Sequence, residues 1–310
     1  MGEQNAETVE SMTADSETAA VSVVIPVFNE EDGVEQTLNE LHQVLRQAHC
    51  IYEIVVVDDG SRDRTADILN TRIDIQLIQH RRNRGYGAAL KSGIAHAKYP
   101  LVAITDADGT YPNDRLSELI ALAQEADMVV GARTGANVTY SKLRSVPKFF
   151  LVAFAQWIAQ QPIPDINSGM RVFRTGVVKK FLGILPDTFS FTTTITLAML
   201  TNNYVVYYHP IDYFHRKGRS KIKPIRDTLR FVQLILRTGV YFAPLRIFLP
   251  IAGFFFGGFG VSLVIDIFIQ QDITDTTLLM FVTAIQITIF ALLADMIDKR
   301  TTRFKGWRVG

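Results

Sequence analysis

Cysteine is almost missing from this chain: Cys50 is the single example in 310 residues. That excludes an intramolecular disulfide or a zinc site built from several thiolates, and it fits a reducing compartment. Net charge is almost missing too, at +1 from 32 Lys and Arg against 31 Asp and Glu. No global field of the kind a nucleic-acid binder uses surrounds the chain, so no nucleic-acid partner is expected and anion binding must come from local patches. Residues 1–20 have no Lys or Arg but contain Glu3, Glu7, Glu10, Asp15 and Glu17. This is not the basic-then-apolar layout of a secretory leader, and it reads as a disordered acidic tail.

Hydrophobic residues make up 48% of the chain beside 20% charged, and they concentrate near the C-terminal end. Two windows free of charge, Ile247–Ile265 and Thr276–Ala294, approach the roughly 20 residues a helix needs to cross a bilayer. Before them, short β-branched runs alternate with helical stretches. Val21–Val27, Glu53–Val57, Asp74–Ile78, Leu101–Thr105 and Asp127–Val130 are predicted strands, and Glu31–Ala48, Asp63–Asn70, Tyr86–Ala97 and Asp114–Glu125 predicted helices. Such alternation implies an α/β, mostly parallel sheet covered on both faces, with ligands beyond the carboxyl ends of its strands. Ser145–Gln160 and Pro224–Phe242 mix apolar and basic residues and read as helices lying in the headgroup layer, or alternatively as core-facing helices of the soluble domain. The chain thus divides into a tail at 1–20, an α/β domain at 21–223, a juxtamembrane amphipathic helix at 224–245, a membrane hairpin at 246–297 and a basic tail at 298–310.

The polar motifs fall at the predicted strand ends. Asp58-Asp59-Gly60-Ser61 could accept hydrogen bonds from a nucleotide's base or ribose, or simply form a turn. Asp106-Ala107-Asp108-Gly109 sets two carboxylates on alternate residues, able to share one hard divalent cation bridging a diphosphate. Asn83–Ala89 is glycine-rich, but it lacks the G-x-G-x-x-G spacing and a Walker lysine, so its glycines read as a tight helix entry. Asp165–Arg171 joins a carboxylate, an amide and a guanidinium on a predicted loop. His215–Lys221 holds four cations around Gly218, suited to gripping phosphates or anionic lipid.

With these motifs, and with Val24-Ile25-Pro26-Val27-Phe28-Asn29-Glu30, Asn167-Ser168-Gly169-Met170-Arg171, Arg216-x-Gly218-x-Ser220-Lys221 and the terminal hairpin, the sequence resembles glycosyltransferase family 2, in its polyprenyl-phosphate sugar transferase group. The resemblance covers about Val21 to Phe304. It implies a GT-A, Rossmann-like catalytic domain in which Pro26, Phe28, Glu30 and Asp58 hold the nucleoside. Asp106 and Asp108, flanking Ala107, hold Mg²⁺ or Mn²⁺, and Arg216, Ser220 and Lys221 close over the donor diphosphate. Arg133, Arg144 and Lys148 stand where the group binds the acceptor phosphate, with Lys148 in place of a common serine and Thr110 in place of a common glutamine. Asp165 is a base or a sugar-orienting group. The implied partners are a nucleotide sugar, UDP- or GDP-linked with UDP-glucose preferred, and a polyprenyl phosphate in the membrane. Processive polysaccharide synthases share this fold, but their Gln-x-x-Arg-Trp motif is absent here. A non-catalytic lipid-binding scaffold is disfavoured by the retained Asp106 and Asp108.

Gly253-x-x-x-Gly257 in the first window could hold a homo-oligomer together or pack the two membrane helices of one chain. The connector Ile269–Asp275 contains Asp272 and Asp275 and no Lys or Arg, whereas Arg246 precedes the hairpin and Lys299, Arg300, Arg303, Lys305 and Arg308 follow it. By the positive-inside rule both ends are cytoplasmic, as at a bacterial inner membrane. Cysteines introduced at Thr274 and at Thr302 should therefore label differently with an impermeant maleimide in intact cells, the connector site alone reacting. Reaction at both sites, or at neither, rejects this topology.

Overall fold

In the computed structural model, residues 19–134, 145–214, 233 and 236–306 are described. The acidic tail up to residue 18, residues 135–144 with Arg144, the basic motif at 215–221 with Arg216, Ser220 and Lys221, the start of the juxtamembrane helix at 224–232 and the last residues, 307–310, lie outside them, and so does the side chain of Lys148.

The chain runs β1 (Ala20–Val27), α1 (Val34–Gln47), β2 (Ile51–Asp58), α2 (Thr65–Asn70), β3 (Gln76–Gln79), α3 (Tyr86–His96), β4 (Leu101–Ile104), α4 (Leu116–Leu122), β5 (Met128–Ala132) and α5 (Ser145–Ala159). It continues through β6 (Arg171–Arg174), α6 (Thr175–Phe181), α7 (Phe191–Thr201), β7 (Val206–Pro210), α8 (Pro244–Ile265) and α9 (Asp275–Gly306). The strands form one sheet ordered β3-β2-β1-β4-β6-β5-β7. Only β6 runs against its neighbours β4 and β5; the other pairs are parallel.

Side chains alternate across each strand, and both faces are apolar, which is why the sheet is covered twice. Val21, Val23 and Ile25 of β1 pack with Ile54 and Val56 beneath Leu38, Leu41 and Leu45 of α1 and Leu119 of α4. Val24, Val55, Val57 and Ile104 face Leu90 and Ile94 of α3 and Phe191 and Ile195 of α7. Pro26 is tolerated in a central strand because the β1–β4 ladder ends at Val24 and Ile104, so its missing N–H points past β4.

Several boundaries differ from the sequence expectation for identifiable reasons. α1 begins at Val34 rather than Glu31, because Glu30 O first accepts N–H bonds from Gly33 and Val34 in a turn. β3 starts two residues late, since Asp74 is drawn off by Arg72 (2.7 and 2.8 Å) and His42 (2.9 Å). The 165–171 stretch is not all loop: Arg171 opens β6, opposite Ile104 and Val130. β6, β7 and the helices α6 and α7 had no sequence prediction. On α5, Ala155, Ile158 and Ala159 are buried with Leu197 and Leu200 of α7 and Ile247 of α8. This face is therefore core-directed, while Trp157 stays exposed.

α8 continues through one wider helical turn, Asp266–Gln270, and a left-handed Gln271 reverses the chain into α9. The two spans, Pro244–Gln270 and Asp275–Ile297, have mean hydropathies of 2.0 and 2.2 and are mostly unburied by the protein itself, as a lipid-facing hairpin requires. At the tip, one carboxylate oxygen of Asp266, Oδ2, accepts from Thr274 N (2.8 Å), Thr274 Oγ1 (2.9 Å) and Thr277 Oγ1 (2.6 Å). Within the chain Gly258 meets Met280 of α9, whereas Gly253, Gly257 and Gly260 have open space beside them. The Gly-x-x-x-Gly face is thus not the surface on which the two helices pack.

Among the described residues Arg171 is the one large cation in the core, with no exposed surface. Its guanidinium donates to Ser168 O (2.7 Å), Ile166 O (3.0 Å) and Thr196 Oγ1 (2.6 Å), and burial pulls its pKa below the ordinary arginine value. Arg171→Met should lower stability by about 3 kcal/mol or more, since two buried carbonyls lose their partners. Thermal unfolding in detergent measures this, and a melting temperature within a degree of wild type would contradict it.

Candidate functional site

The exits of β1, β2, β4 and β5 lie along one edge of the sheet. Because β6 runs the opposite way, the loop that enters it, 165–170, lies along that same edge. Five segments distant in sequence therefore converge where parallel α/β sheets bind ligands.

On the β1–β2 side, two loops are laced together. Asn29 N donates to Ser61 Oγ (3.0 Å), Glu30 N to Thr65 Oγ1 (3.0 Å) and Arg62 N to Asn29 Oδ1 (2.8 Å). Pro26 is half-buried between the buried Ile25 and Val27 at the end of β1, and Phe28 stands 40% exposed just beyond the strand, where it can meet a planar ring. Asp58 is buried and accepts Ser61 N at 2.9 Å. Asp59, unassigned from sequence, is the organiser of the neighbouring loop. Its carboxylate accepts Arg84 N (2.9 Å) and Gly85 N (2.8 Å) and meets His80 Nδ1 at 2.6 Å.

At the end of β4, Asp106 accepts a hydrogen bond from Tyr86 Oη (2.9 Å). Asp108 accepts from Thr110 N (3.2 Å) and Thr110 Oγ1 (2.6 Å). Ala107 is buried between them, its carbonyl bonded by Thr37 Oγ1 (3.1 Å). Burial first and the Asp106 charge second push the Tyr86 phenol well above its usual pKa, so it remains a donor. Tyr111 is raised for the same two reasons. Among the described residues no group of three or more His, Cys, Asp or Glu side chains converges. Two carboxylates nevertheless fit Mg²⁺ or Mn²⁺, hard ions that take one or two protein carboxylates and complete their shell with water and substrate phosphate oxygens.

On the β5 side, Arg133 forms a two-pronged ion pair with Asp165, Nε to Oδ2 at 2.7 Å and Nη2 to Oδ1 at 3.0 Å. Arg133 N and Asn167 N add bonds of 3.1 and 3.0 Å to the same carboxylate. The guanidinium lies 5.1 Å from the centre of the Tyr213 ring, which packs edge-on to Tyr111. Burial alone would raise the Asp165 carboxyl, yet the Arg133 bonds and charge together with backbone N–H donors outweigh it and hold the pKa below the usual carboxylate range. An acid so stabilised in its ionised form is a poor proton acceptor and a good clamp. The rest of the loop is fixed equally firmly, Ser168 Oγ to Gly131 O, Gly169 N to Tyr111 Oη (2.6 Å) and Thr193 Oγ1 to Asn167 Oδ1 (2.6 Å).

The structure thus gathers Pro26, Phe28, Glu30, Asp58, Asp106, Ala107, Asp108, Arg133 and Asp165 on one edge. Sequence reasoning missed Asp59, His80, Tyr86, Thr110 and Tyr111 as the residues that orient them. Asp59 and Tyr86 lay inside motifs already noted, but nothing in their spacing reveals a tertiary hydrogen bond.

Residues 22–182 match the profile of Glycosyl transferase family 2, and residues 243–299 match the GtrB C-terminal hairpin. The undecaprenyl-phosphate 4-deoxy-4-formamido-L-arabinose transferase of Pseudomonas fluorescens strain Pf0-1 is 32% identical over 250 residues, covering 78% of this chain and 70% of that protein. Among solved structures, glucosyl-3-phosphoglycerate synthase from Mycobacterium tuberculosis, in complex with UDP, superposes with a TM-score of 0.55 at 16% identity, over 71% of this chain and 80% of that one. Mannosyl-3-phosphoglycerate synthase from Rubrobacter xylanophilus gives 0.55 at 20% identity, over 71% and 72%. The mycobacterial enzyme has also been solved with Mn²⁺, UDP and glucosyl-3-phosphoglycerate.

The depressed Asp165 pKa carries a sign for stability. The ionised form is favoured on folding, so its contribution is present above the unfolded-state pKa of about 3.9 and disappears as pH falls through the lower folded value. Asp165→Asn should therefore melt below wild type at pH 7, with the gap narrowing below about pH 4. A gap that widens on acidification would reverse the assignment.

Proposed function

The chain belongs to glycosyltransferase family 2, and from that premise we propose that it is an inverting transferase moving one hexose from a nucleotide-sugar donor, UDP-glucose, to the phosphate of a polyprenyl lipid. The observation that carries this reading is the meeting on one sheet edge of paired carboxylates and a carboxylate-braced guanidinium, in a chain with a C-terminal membrane hairpin. The carboxylates Asp106 and Asp108 suit a cation-bridged diphosphate, and the guanidinium of Arg133, braced by Asp165, suits a second phosphate.

Pro26, Phe28, Glu30 and Asp58 are the proposed nucleoside contacts, and Arg216, Ser220 and Lys221 the groups that close over the donor diphosphate. Arg133, with Arg144 and Lys148, holds the acceptor phosphate. That phosphate has a second pKa of about 6 and is mostly ionised near neutrality. One of its oxygens can attack the anomeric carbon directly as the bond to the donor diphosphate breaks, inverting that carbon without a strong base. Asp165 then serves by aiming Arg133, consistent with its saturated hydrogen bonds. Mg²⁺ or Mn²⁺ bound at Asp106 and Asp108 supplies charge neutralisation for the leaving diphosphate. Rate enhancement comes mainly from holding two anions together in line.

The charge asymmetry about the hairpin supports a catalytic domain on the cytoplasmic face. The open Gly253/Gly257 face of α8 supports self-association through that helix. A second reading of the sugar, 4-deoxy-4-formamido-L-arabinose, draws on the name of the Pseudomonas relative, and GDP-mannose is the third donor to compare.

Purified full-length protein given undecaprenyl phosphate and each donor in turn should form a singly glycosylated lipid with one of them. Asp108→Ala should reduce that transfer by at least about 100-fold while melting like wild type without metal. Wild-type rates for this variant in EDTA would reject the cation assignment, and products longer than one sugar would instead favour a processive synthase.

A further inference from the structure

Tyr86 is the first residue of α3, and its position is determined from several sides. Behind it, Asp59 binds the N–H groups of Arg84 and Gly85. Gly85 has φ +104°, a conformation open to glycine, and a Cβ there would lie 2.4 Å from Asp187 O. A Cβ at Gly87 would come within 2.1 Å of Pro186 O, so the first turn of α3 is pressed against the 186–188 segment. Ala88 N donates to Asp187 O (3.2 Å). Above, the Tyr86 ring stacks on Phe189 with centroids 5.1 Å apart and planes 18° from parallel.

All of these contacts hold the ring, and the hydroxyl at its end donates to Asp106 Oδ1 at 2.9 Å. Gly169 lies beside the other carboxylate oxygen and the Tyr86 hydroxyl. A Cβ at position 169 would stand 2.9 Å from Asp106 Oδ2 and 3.0 Å from Tyr86 Oη. The terminal torsion of an aspartate is intrinsically broad. Here a donor on one oxygen and a backbone wall beside the other restrict it.

We propose that Tyr86 is a positioning residue for divalent-cation binding: its hydroxyl, backed by the Gly169 wall, fixes the rotation of the Asp106 carboxylate so that it and Asp108 present oxygens to one ion. The inference rests on the reading of Asp106 and Asp108 as the cation site. Outer partners of a ligating side chain typically contribute about 10–100-fold to metal affinity, because a preoriented ligand loses less freedom on binding. Tyr86→Phe removes only the hydroxyl and keeps the ring that stacks on Phe189, so packing and metal affinity are separable.

The test is Mn²⁺ binding to full-length protein in detergent with UDP present and no lipid acceptor, read from the free-Mn²⁺ paramagnetic resonance signal. Tyr86→Phe should weaken Mn²⁺ binding about tenfold with an unchanged metal-free melting temperature. Gly169→Ala, whose methyl would crowd both Asp106 Oδ2 and Tyr86 Oη, should weaken it as well, and it provides the reading should Tyr86→Phe fold poorly. Wild-type Mn²⁺ affinity in these variants overturns the positioning role while leaving the cation site standing. Wild-type protein that binds no Mn²⁺, or Asp108→Ala that binds as well as wild type, overturns the cation site and this inference together.

Discussion

A guanidinium sealed inside a protein must give its hydrogen bonds to something, and the direction in which Arg171 gives them shapes the whole functional edge. Two of its three oxygen acceptors are carbonyls of the loop immediately before it, at Ile166 and Ser168. The loop must therefore fold back over its own strand. That bend sets Asp165 against Arg133 and leaves no room for a side chain at Gly169 beside Asp106. A hydrophobic residue at 171 could fill the same volume, but it would leave those carbonyls without partners and the loop without a reason to return.

The edge then holds two stations, one carrying the carboxylates Asp106 and Asp108 and the other the Arg133–Asp165 ion pair. Each charged group has a neutral or oppositely charged orienter: Tyr86 for Asp106, Thr110 for Asp108, Asp165 for Arg133. Such preorganisation suits a reaction in which two phosphates must approach one another, since fixed dipoles need not reorganise as charge moves. Ile166, next to Asp165, also belongs to the apolar cluster that includes Ile247 at the base of the hairpin. Arg246 adds a bond to Ile158 O. The membrane anchor and the arginine-bearing side of the site thus share packing, and the edge is held at a fixed distance from the start of the hairpin.

Much of this was legible from local pattern. The β-branched runs of β1, β2, β4 and β5, the amphipathic spacing of α1 and the two apolar windows follow from side-chain periodicity, and periodicity is a property of neighbouring residues. The acidic pairs after β2 and β4 were recognisable because turns after parallel strands point to one edge. β6, β7 and α7 escaped notice for opposite reasons. β6 is four residues long, and α7 is buried nearly all round with five threonines, so neither shows a two-faced pattern.

By itself the sequence determined the alternating α/β order, the carboxylates at the strand ends, the apolar hairpin and the asymmetry of charge about it, because each depends on residues close together along the chain. Tertiary structure alone decided that β6 runs antiparallel, that Asp165 is spent on Arg133, and that Asp59, Tyr86 and Tyr111 serve as orienters. Hydrogen bonds between positions 20 to 60 residues apart leave no periodic trace. Their partners are chosen by which backbones the folded sheet brings within about 3 Å, and only the folded sheet contains that information.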